Sequence, residues 1–182
     1  YWAINRSYDL TYRPQYFTAR GLSHNVEFRG KPRAKSDFNF SLFGVDDSKG
    51  LRLEDGRRIK QGGYSFRFDG KSELGKVWRA QGTVNYLSSF VFRQAFTQSF
   101  NEAIFSEANS VGFVEKQWRG NNVQVVFSRS QNFQTVEPGD SITVRKLPQL
   151  EYTRRDTQIW KKIPVWVSME STAGLVSRNQ PL

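Results

Sequence analysis

Four arginines carry the clearest chemical signal in this sequence. An arginine binds phosphate or carboxylate through two parallel hydrogen bonds and stays charged at physiological pH. Each of the four occupies a polar position in a segment where polar and apolar residues alternate, so all four are expected on one face of a sheet. These residues are Arg13, Arg29, Arg67 and Arg79. Together they form a candidate site for an anionic amphiphile, while acidic residues of the same parity favour an ordinary salt bridge for any single arginine.

The sequence gives little support for catalysis or for metal or cofactor binding. The chain has no cysteine and one histidine, His24, which excludes disulfides, thiolate metal sites and histidine clusters. His24 falls on the apolar side of its segment, where an interfacial role is favoured over a catalytic one. An acidic segment around Asp46 and Asp47 lacks the spacing of a calcium loop, and no glycine-rich phosphate loop opens a helix. We therefore expect no enzymatic activity, no metal and no cofactor.

The net charge limits the class of partner. The 182 residues carry a formal charge of +10, which calls for an anion such as nucleic acid or the phosphate groups of lipid. Mean hydropathy is −0.63, and no stretch approaches the ~18 apolar residues of a membrane-spanning helix. A membrane β-strand stays possible, because only every second residue of such a strand faces lipid.

A period of two runs through the whole chain and predicts about nine antiparallel strands. The strands are predicted at 8–16, 22–29, 37–42, 64–69, 78–86, 111–118, 123–130, 143–153 and 164–176. In a barrel the arginine face is the lumen, and the aromatic residues of the opposite parity face lipid. The lipid-facing candidates are Tyr8, Tyr12, Phe28, Phe40 and Phe66.

The connections indicate which kind of sheet this is. Tight turns at 30–35, 70–75 and 119–122 alternate with long polar segments at 46–63, 88–109 and 131–146, and only the first hairpin breaks the order. Short turns at one end and long loops at the other are typical of an outer-membrane β-barrel. Within the second long segment, phenylalanines at three- and four-residue spacing between Phe90 and Phe105 predict one short amphipathic helix. Packing over the sheet edge or a loop is favoured over a ligand role for this helix.

Three segments resemble the LptD family of lipopolysaccharide-assembly proteins. YWAINRSYDLTYRPQYFTARG at residues 1–21 resembles the start of the family's barrel domain, with an aromatic pair, an Asp-x-Thr-x-x-Pro-x-Tyr strand and a basic-Gly hairpin. LSSFVFRQAF at 87–96 and KLPQLEYTRR at 146–155 are similar to two later segments of that domain. The three occur in order across most of the chain.

The resemblance implies that residues 1–182 are one part of a single outer-membrane β-barrel domain in a Gram-negative-type bacterium. The expected fold is an all-β, antiparallel up-and-down transmembrane barrel, present as an open strip of a larger barrel. The implied cargo is lipopolysaccharide. An LptE-like lipoprotein plug and LptA-like periplasmic bridge proteins are the implied partners. In the family, prolines in the first strands weaken pairing with the last strand and make a lateral gate; Pro14 matches one such position, and Arg6 occupies the other.

Two other functions stay open. A different outer-membrane barrel, such as a porin or receptor, would have the same fold but would not transport lipopolysaccharide. A soluble β-protein that binds single-stranded nucleic acid would use the same charge and aromatic content, but its stacking platform needs both on one face. Here the aromatic residues and the arginines have opposite parity, so we expect no nucleic-acid partner.

Overall fold

The computed structural model describes residues 1–52, 54, 56, 58–97, 105–135, 141–160 and 163–180. It contains one antiparallel sheet of ten strands and a separate two-stranded ladder, β5 with β6. The strands are β1 (Trp2–Asn5), β2 (Tyr8–Phe17), β3 (Gly21–Arg33), β4 (Ser36–Asp47), β5 (Leu51–Arg52), β6 (Arg58–Ile59), β7 (Gly63–Leu74), β8 (Trp78–Leu87), β9 (Glu107–Trp118), β10 (Asn121–Phe133), β11 (Ser141–Trp160) and β12 (Ile163–Asn179).

Each strand of the large sheet pairs with its neighbours in the chain, in the order β1-β2-β3-β4-β7-β8-β9-β10-β11-β12. This is the predicted antiparallel up-and-down arrangement, and the sheet is an open strip with β1 and β12 at its edges. We call the end with the connections 18–20, 48–62, 88–106 and 134–140 the loop end, and the opposite end the turn end. The prediction of an all-β open strip is confirmed.

The strands differ from the sequence prediction in several places. β1 pairs with β2 only from Tyr8 to Leu10 and was not predicted, because four residues are too few to show a period. The long segment 46–63 contains the β5–β6 ladder. The predicted turn at 30–35 and loop at 131–146 are shorter, because β3, β10 and β11 continue through polar residues that still pair in the ladder.

The register places the aromatic residues in rows across one side of the sheet, which we call the apolar face. Tyr8 and Phe28 stack with ring centroids 6.2 Å apart, and Phe40 lies 5.2 Å from Phe66. Tyr12 shares this face through its pairing with Val26. Cross-strand aromatic pairs stabilise a sheet beyond the area they bury, so these contacts help to set the register. The opposite side, which carries the four predicted arginines, is the polar face.

One helix, α1 (Phe90–Phe96), lies over the polar face at the loop end. Ser89 caps its N-terminus by accepting a hydrogen bond from the backbone N–H of Phe92 at 3.2 Å. Phe92 is buried and its ring lies 5.7 Å from that of Phe43 on β4. The predicted helix is therefore present over its first seven residues; its predicted positions Phe100 and Ala103 lie outside the described residues. In the described part of the chain, no helix has the length and apolar content to cross a membrane.

Asp47, at the loop end of β4, anchors the long connection that follows. Its side chain is fully buried and accepts hydrogen bonds from the backbone N–H groups of Gly50 and Gln61, both at 2.8 Å. Arg20, from the preceding hairpin, reaches the same carboxylate at 3.3 Å. A buried charge with this many donors is costly to remove, because the donors lose their partner.

Replacing Asp47 with alanine is expected to lower the free energy of unfolding by about 2–4 kcal/mol, since two backbone donors and Arg20 are left unpaired. Urea unfolding of the full-length protein in detergent micelles measures the change. Asp46→Ala is the matched control, because Asp46 is exposed at the adjacent position. Equal losses in the two variants would contradict the anchoring role of Asp47.

Candidate functional site

The predicted arginines lie on the polar face with acidic or amide partners on neighbouring strands. Arg29 contacts Asp9 at 2.9 Å, and Arg79 contacts Glu115 at 2.7 Å. Arg13 forms an ion pair with Glu27. Nε of Arg67 donates to the side-chain oxygen of Asn85 at 3.1 Å. The polar face is therefore a ladder of cation–acceptor pairs.

These arginines stay open to solvent although they are paired. The side chains of Arg13, Arg29 and Arg79 are 57%, 54% and 53% exposed. Exposed ion pairs contribute at most about 1 kcal/mol each, so the ladder adds little to stability. Its physical effect is to orient the guanidinium groups at the surface while part of each remains available to an anion.

The structure does not place the four arginines in one ring. Arg67 lies in a row with Ser41 and Asn85, and Arg13 and Arg29 lie in the rows immediately on either side of it. Arg79 lies three rows away, beside Glu115 near the turn end. Arg13 and Arg67 therefore lie in the loop half of the face, Arg29 lies just beyond mid-strand toward the turn end, and Arg79 stands apart.

The loop end of the polar face encloses a cavity of about 440 Å³ beneath α1. Arg67 and Asn85 form its floor, and Phe92 and Phe105 contribute to its apolar wall. Arg93 of α1 donates to the backbone carbonyl of Glu107 at 2.9 Å and so joins the helix to β9. The sequence predicted that α1 packs over the sheet edge or a loop. It did not predict the cavity, because the period of a helix does not tell which face of the sheet it covers.

The other candidate site is the free edge of β2. The backbone N–H of Lys31 donates to the carbonyl of Ser7 at 2.8 Å, which shows that odd-numbered residues of this strand turn their backbone groups toward β3. Even-numbered residues therefore point away from β3. β1 covers the even positions only as far as Leu10, so Tyr12, Pro14 and Tyr16 form the uncovered edge.

Pro14 removes the middle donor from this edge. Its register partner is His24, and the pairing of β2 with β3 continues without a shift through it, because a missing N–H on the outer side costs nothing in that ladder. Tyr12 and Tyr16 keep their donors. A strand that pairs with this edge therefore finds two backbone N–H donors, whereas three would be present if residue 14 were not proline.

Polar-tipped rings flank the edge on the apolar face. The hydroxyl of Tyr12 is 2.7 Å from Nδ1 of His24, and the two rings stack at 6.0 Å. Nζ of Lys49 lies 5.6 Å from the ring centre of Tyr16. His24 is thus held by the hydroxyl of Tyr12, and its interfacial role stays a prediction. Across the described ranges, no group of three or more His, Cys, Asp or Glu residues is placed to hold a metal ion.

Replacing Phe92 with alanine is expected to release α1 from the polar face, because Phe92 is the buried side chain of this helix and its loss costs about 3–5 kcal/mol. Trypsin cleavage after Arg93 in the folded full-length protein should then become faster. Phe105→Ala, at a position that is 62% exposed, is the control and should leave the rate unchanged. Identical rates in both variants would show that α1 does not depend on Phe92.

This chain is similar to proteins of one family. The family model LptD, described as LPS transport system D, matches residues 60–180. The LPS-assembly protein LptD of Shewanella oneidensis is 22% identical over 175 residues, which are 94% of this chain and 21% of that protein. The LPS-assembly protein LptD of Shewanella frigidimarina is 23% identical over 177 residues, again 94% of this chain and 21% of that protein. The chain thus spans about a fifth of the length of these relatives.

Proposed function

The chain belongs to the LptD family of LPS transport proteins, and from this membership we propose that it forms the first strands of an outer-membrane barrel that passes lipopolysaccharide into the outer leaflet. In this proposal residues 1–182 are part of a single barrel domain, and the remaining strands close it. An LptE-like lipoprotein plug and LptA-like periplasmic bridge proteins are the proposed partners. The protein works by transport and assembly rather than by chemical conversion.

The distribution of aromatic residues on the apolar face supports a membrane location. Tyr64 and Tyr86 stack at 5.7 Å near the loop end, and Trp78 and Trp118 flank Lys116 near the turn end. Trp78 and Tyr86 are eight positions apart on β8, which corresponds to about 27 Å along the strand and about 20 Å along the normal of a tilted barrel strand. Two aromatic belts at this separation match the apolar band of an outer-membrane barrel.

The polar face supports an anionic cargo. In a barrel this face lines the interior, and Arg13 and Arg29 can exchange their partners, which are 35% and 26% exposed, for phosphate oxygens without leaving a charge buried and unpaired. Arg13 and Arg67 lie in the loop half of their strands, on the side where the cargo would leave in this proposal. The cavity beneath α1 adjoins Arg67 and gives the same region room for a polar group.

Pro14, on the free edge of β2, is the observation that supports a lateral exit for the cargo. In hydrocarbon an unpaired backbone group costs several kcal/mol, so a complete barrel must pair the β2 edge with another strand. Pro14 takes one hydrogen bond out of that pairing, while β1 covers only the part of the edge up to Leu10. The closure is therefore weakest between Thr11 and Phe17, in the loop half of β2, where a glycolipid would enter the outer leaflet.

Replacing Pro14 with alanine in the full-length protein should slow the appearance of labelled lipopolysaccharide at the cell surface, because the new N–H adds one hydrogen bond to the seam, worth about 0.5–1.5 kcal/mol. Pro32→Ala is the matched control: Pro32 is exposed near the turn end of β3, inside the sheet rather than at its edge. Unchanged delivery in the Pro14 variant would reduce this proline to an edge marker without a transport role.

A photocrosslinking side chain at Arg67 separates this function from that of a porin or receptor. The transport function predicts that the probe captures lipopolysaccharide in the full-length protein, because Arg67 lies on the polar face at the cavity floor. The same probe at Arg58, exposed in the β5–β6 ladder, should capture little. Absence of adducts at Arg67 in a protein that still reaches the outer membrane would favour the porin or receptor.

A further inference from the structure

Two arginines that belong to neither candidate site lie opposite each other on the apolar face. Arg129 on β10 and Arg145 on β11 are direct register partners, so their Cβ atoms are about 5 Å apart and their side chains share a side. Arg129 also pairs with Ser110, and its guanidinium carbon lies 5.4 Å from the ring centre of Tyr86. Contact with Tyr86 places this pair on the apolar face.

The arginine pair lacks the counter-ion that the polar-face arginines have. Among the ion pairs of the described residues, none involves Arg129 or Arg145, whereas Arg29 and Arg79 each contact a carboxylate directly opposite. Nη2 of Arg129 donates to the amide oxygen of Gln131 at 2.6 Å, but Nη1 is buried and has no hydrogen-bond partner. Like charges directly opposite each other destabilise a sheet, so this arrangement is favourable only when an anion lies between or above them.

The pair lies level with the tyrosine belt of the loop end. Tyr86 stacks on Tyr64, and both rings are near the ends of their strands. In a barrel this level is the boundary between hydrocarbon and headgroups, where aromatic rings and basic side chains meet lipid phosphates. A phosphate oxygen at this level can take the free donor of Arg129 and the guanidinium of Arg145 together.

An apolar furrow begins beside the arginine pair and indicates that the anion belongs to an amphiphile. Gly70, Gly82 and Gly112 are register partners on β7, β8 and β9, and the row continues to Phe127, two positions before Arg129. The furrow has a volume of about 420 Å³, with walls that include Phe38, Phe68 and Val114.

Steric contacts do not require glycine at positions 82 and 112. A Cβ at Gly82 would meet its nearest atom, Cα of Gly112, at 3.5 Å, and a Cβ at Gly112 would meet its nearest atom at 3.7 Å. These are ordinary contacts, so side chains would fit at both positions. Their lack of side chains leaves open space in the furrow at these two positions.

We propose that Arg129 and Arg145 bind the phosphate of an anionic lipid whose acyl chain lies in the furrow at Gly82 and Gly112, beside the Phe68 ring that covers Gly70. This inference rests on the proposed function in one respect, that the apolar face meets a bilayer. It adds a lipid site on the outer surface of the barrel, separate from the polar face through which cargo passes. The bound lipid neutralises the like-charged pair and supplies the missing acceptor for Arg129.

The test measures retention of phosphatidylglycerol and of lipid A by the full-length protein in detergent micelles, by native mass spectrometry. The double variant Arg129→Gln with Arg145→Gln should weaken binding of both lipids by about tenfold or more, because charge-assisted hydrogen bonds to phosphate are lost. Lys116→Gln is the matched control, a cation of the same face at the opposite belt. Inorganic phosphate at millimolar concentration should not displace the lipids; displacement would show that the site takes free phosphate and would overturn the assignment to a lipid.

A second set of variants tests the furrow. Gly82→Val and Gly112→Val add side chains at positions where a Cβ meets only ordinary contacts, and they should weaken lipid retention several-fold by filling the space. Gly44→Val is the control, because Gly44 is on the same face outside the furrow and is equally open. Retention equal to that of the unaltered protein in both the arginine and glycine variants would overturn the proposal.

The two proposals fail separately. If the arginine variant loses lipid while Arg67 captures no lipopolysaccharide, the surface site stands and the transported cargo is wrong. If Arg67 captures lipopolysaccharide and the arginine variant binds lipid normally, transport stands and the surface site is wrong. Heat-dependent gel mobility of each variant identifies protein that has not folded. If the double glutamine variant does not fold, the double variant Arg129→Lys with Arg145→Lys replaces it. Because lysine keeps both charges, this variant should lose less lipid.

Discussion

A sheet that spans hydrocarbon must pair its edge N–H and C=O groups, and this constraint governs the rest of the structure. The ten strands described for this chain end in two open edges, one along β1 and β2 and one along β12. The edge at β12 is 17 residues long, whereas the uncovered part of β2 is short and lacks a donor at Pro14. The two edges therefore differ in the strength of the closure that they can support. In the proposed function, this asymmetry would let the complete barrel open at one place and stay closed elsewhere.

The arginines on the two faces of the sheet have different partners. On the polar face the arginines lie against carboxylates or amides and remain partly exposed, so the ladder is neutralised yet can exchange partners. On the apolar face Arg129 and Arg145 lie opposite one another without an acid, and a buried nitrogen of Arg129 is unsatisfied. The formal charge of +10 is therefore not spread evenly over the molecule. The polar face suits an anion that moves past it, and the pair on the apolar face suits one that stays.

Strand periodicity predicted most of the sheet because alternation is strong wherever one face is apolar. The faces of Arg13, Arg29, Arg67 and Arg79 followed directly from parity. The same reasoning did not find Arg145, because the register between β10 and β11 shifts beyond Val126 and parity cannot be counted across such a shift. It also could not find the short strand β1, the cavity under α1 or the furrow, since these depend on contacts between segments distant in sequence. Pro14 was identified through the family resemblance, and the hydrogen bond from Lys31 to Ser7 adds the direction in which its missing donor would have pointed.

Residue-resolved hydrogen exchange of the full-length protein in lipid nanodiscs tests the weak seam most directly. The backbone N–H groups of Arg13 and Gln15 point toward β3 and should exchange slowly. Those of Tyr12 and Tyr16 point to the seam and should exchange at least about tenfold faster, because strands that pair around a missing donor separate more often. Equal, strong protection of all four amides would contradict the account, since it would mean that β2 is held as firmly on its outer side as on its inner side.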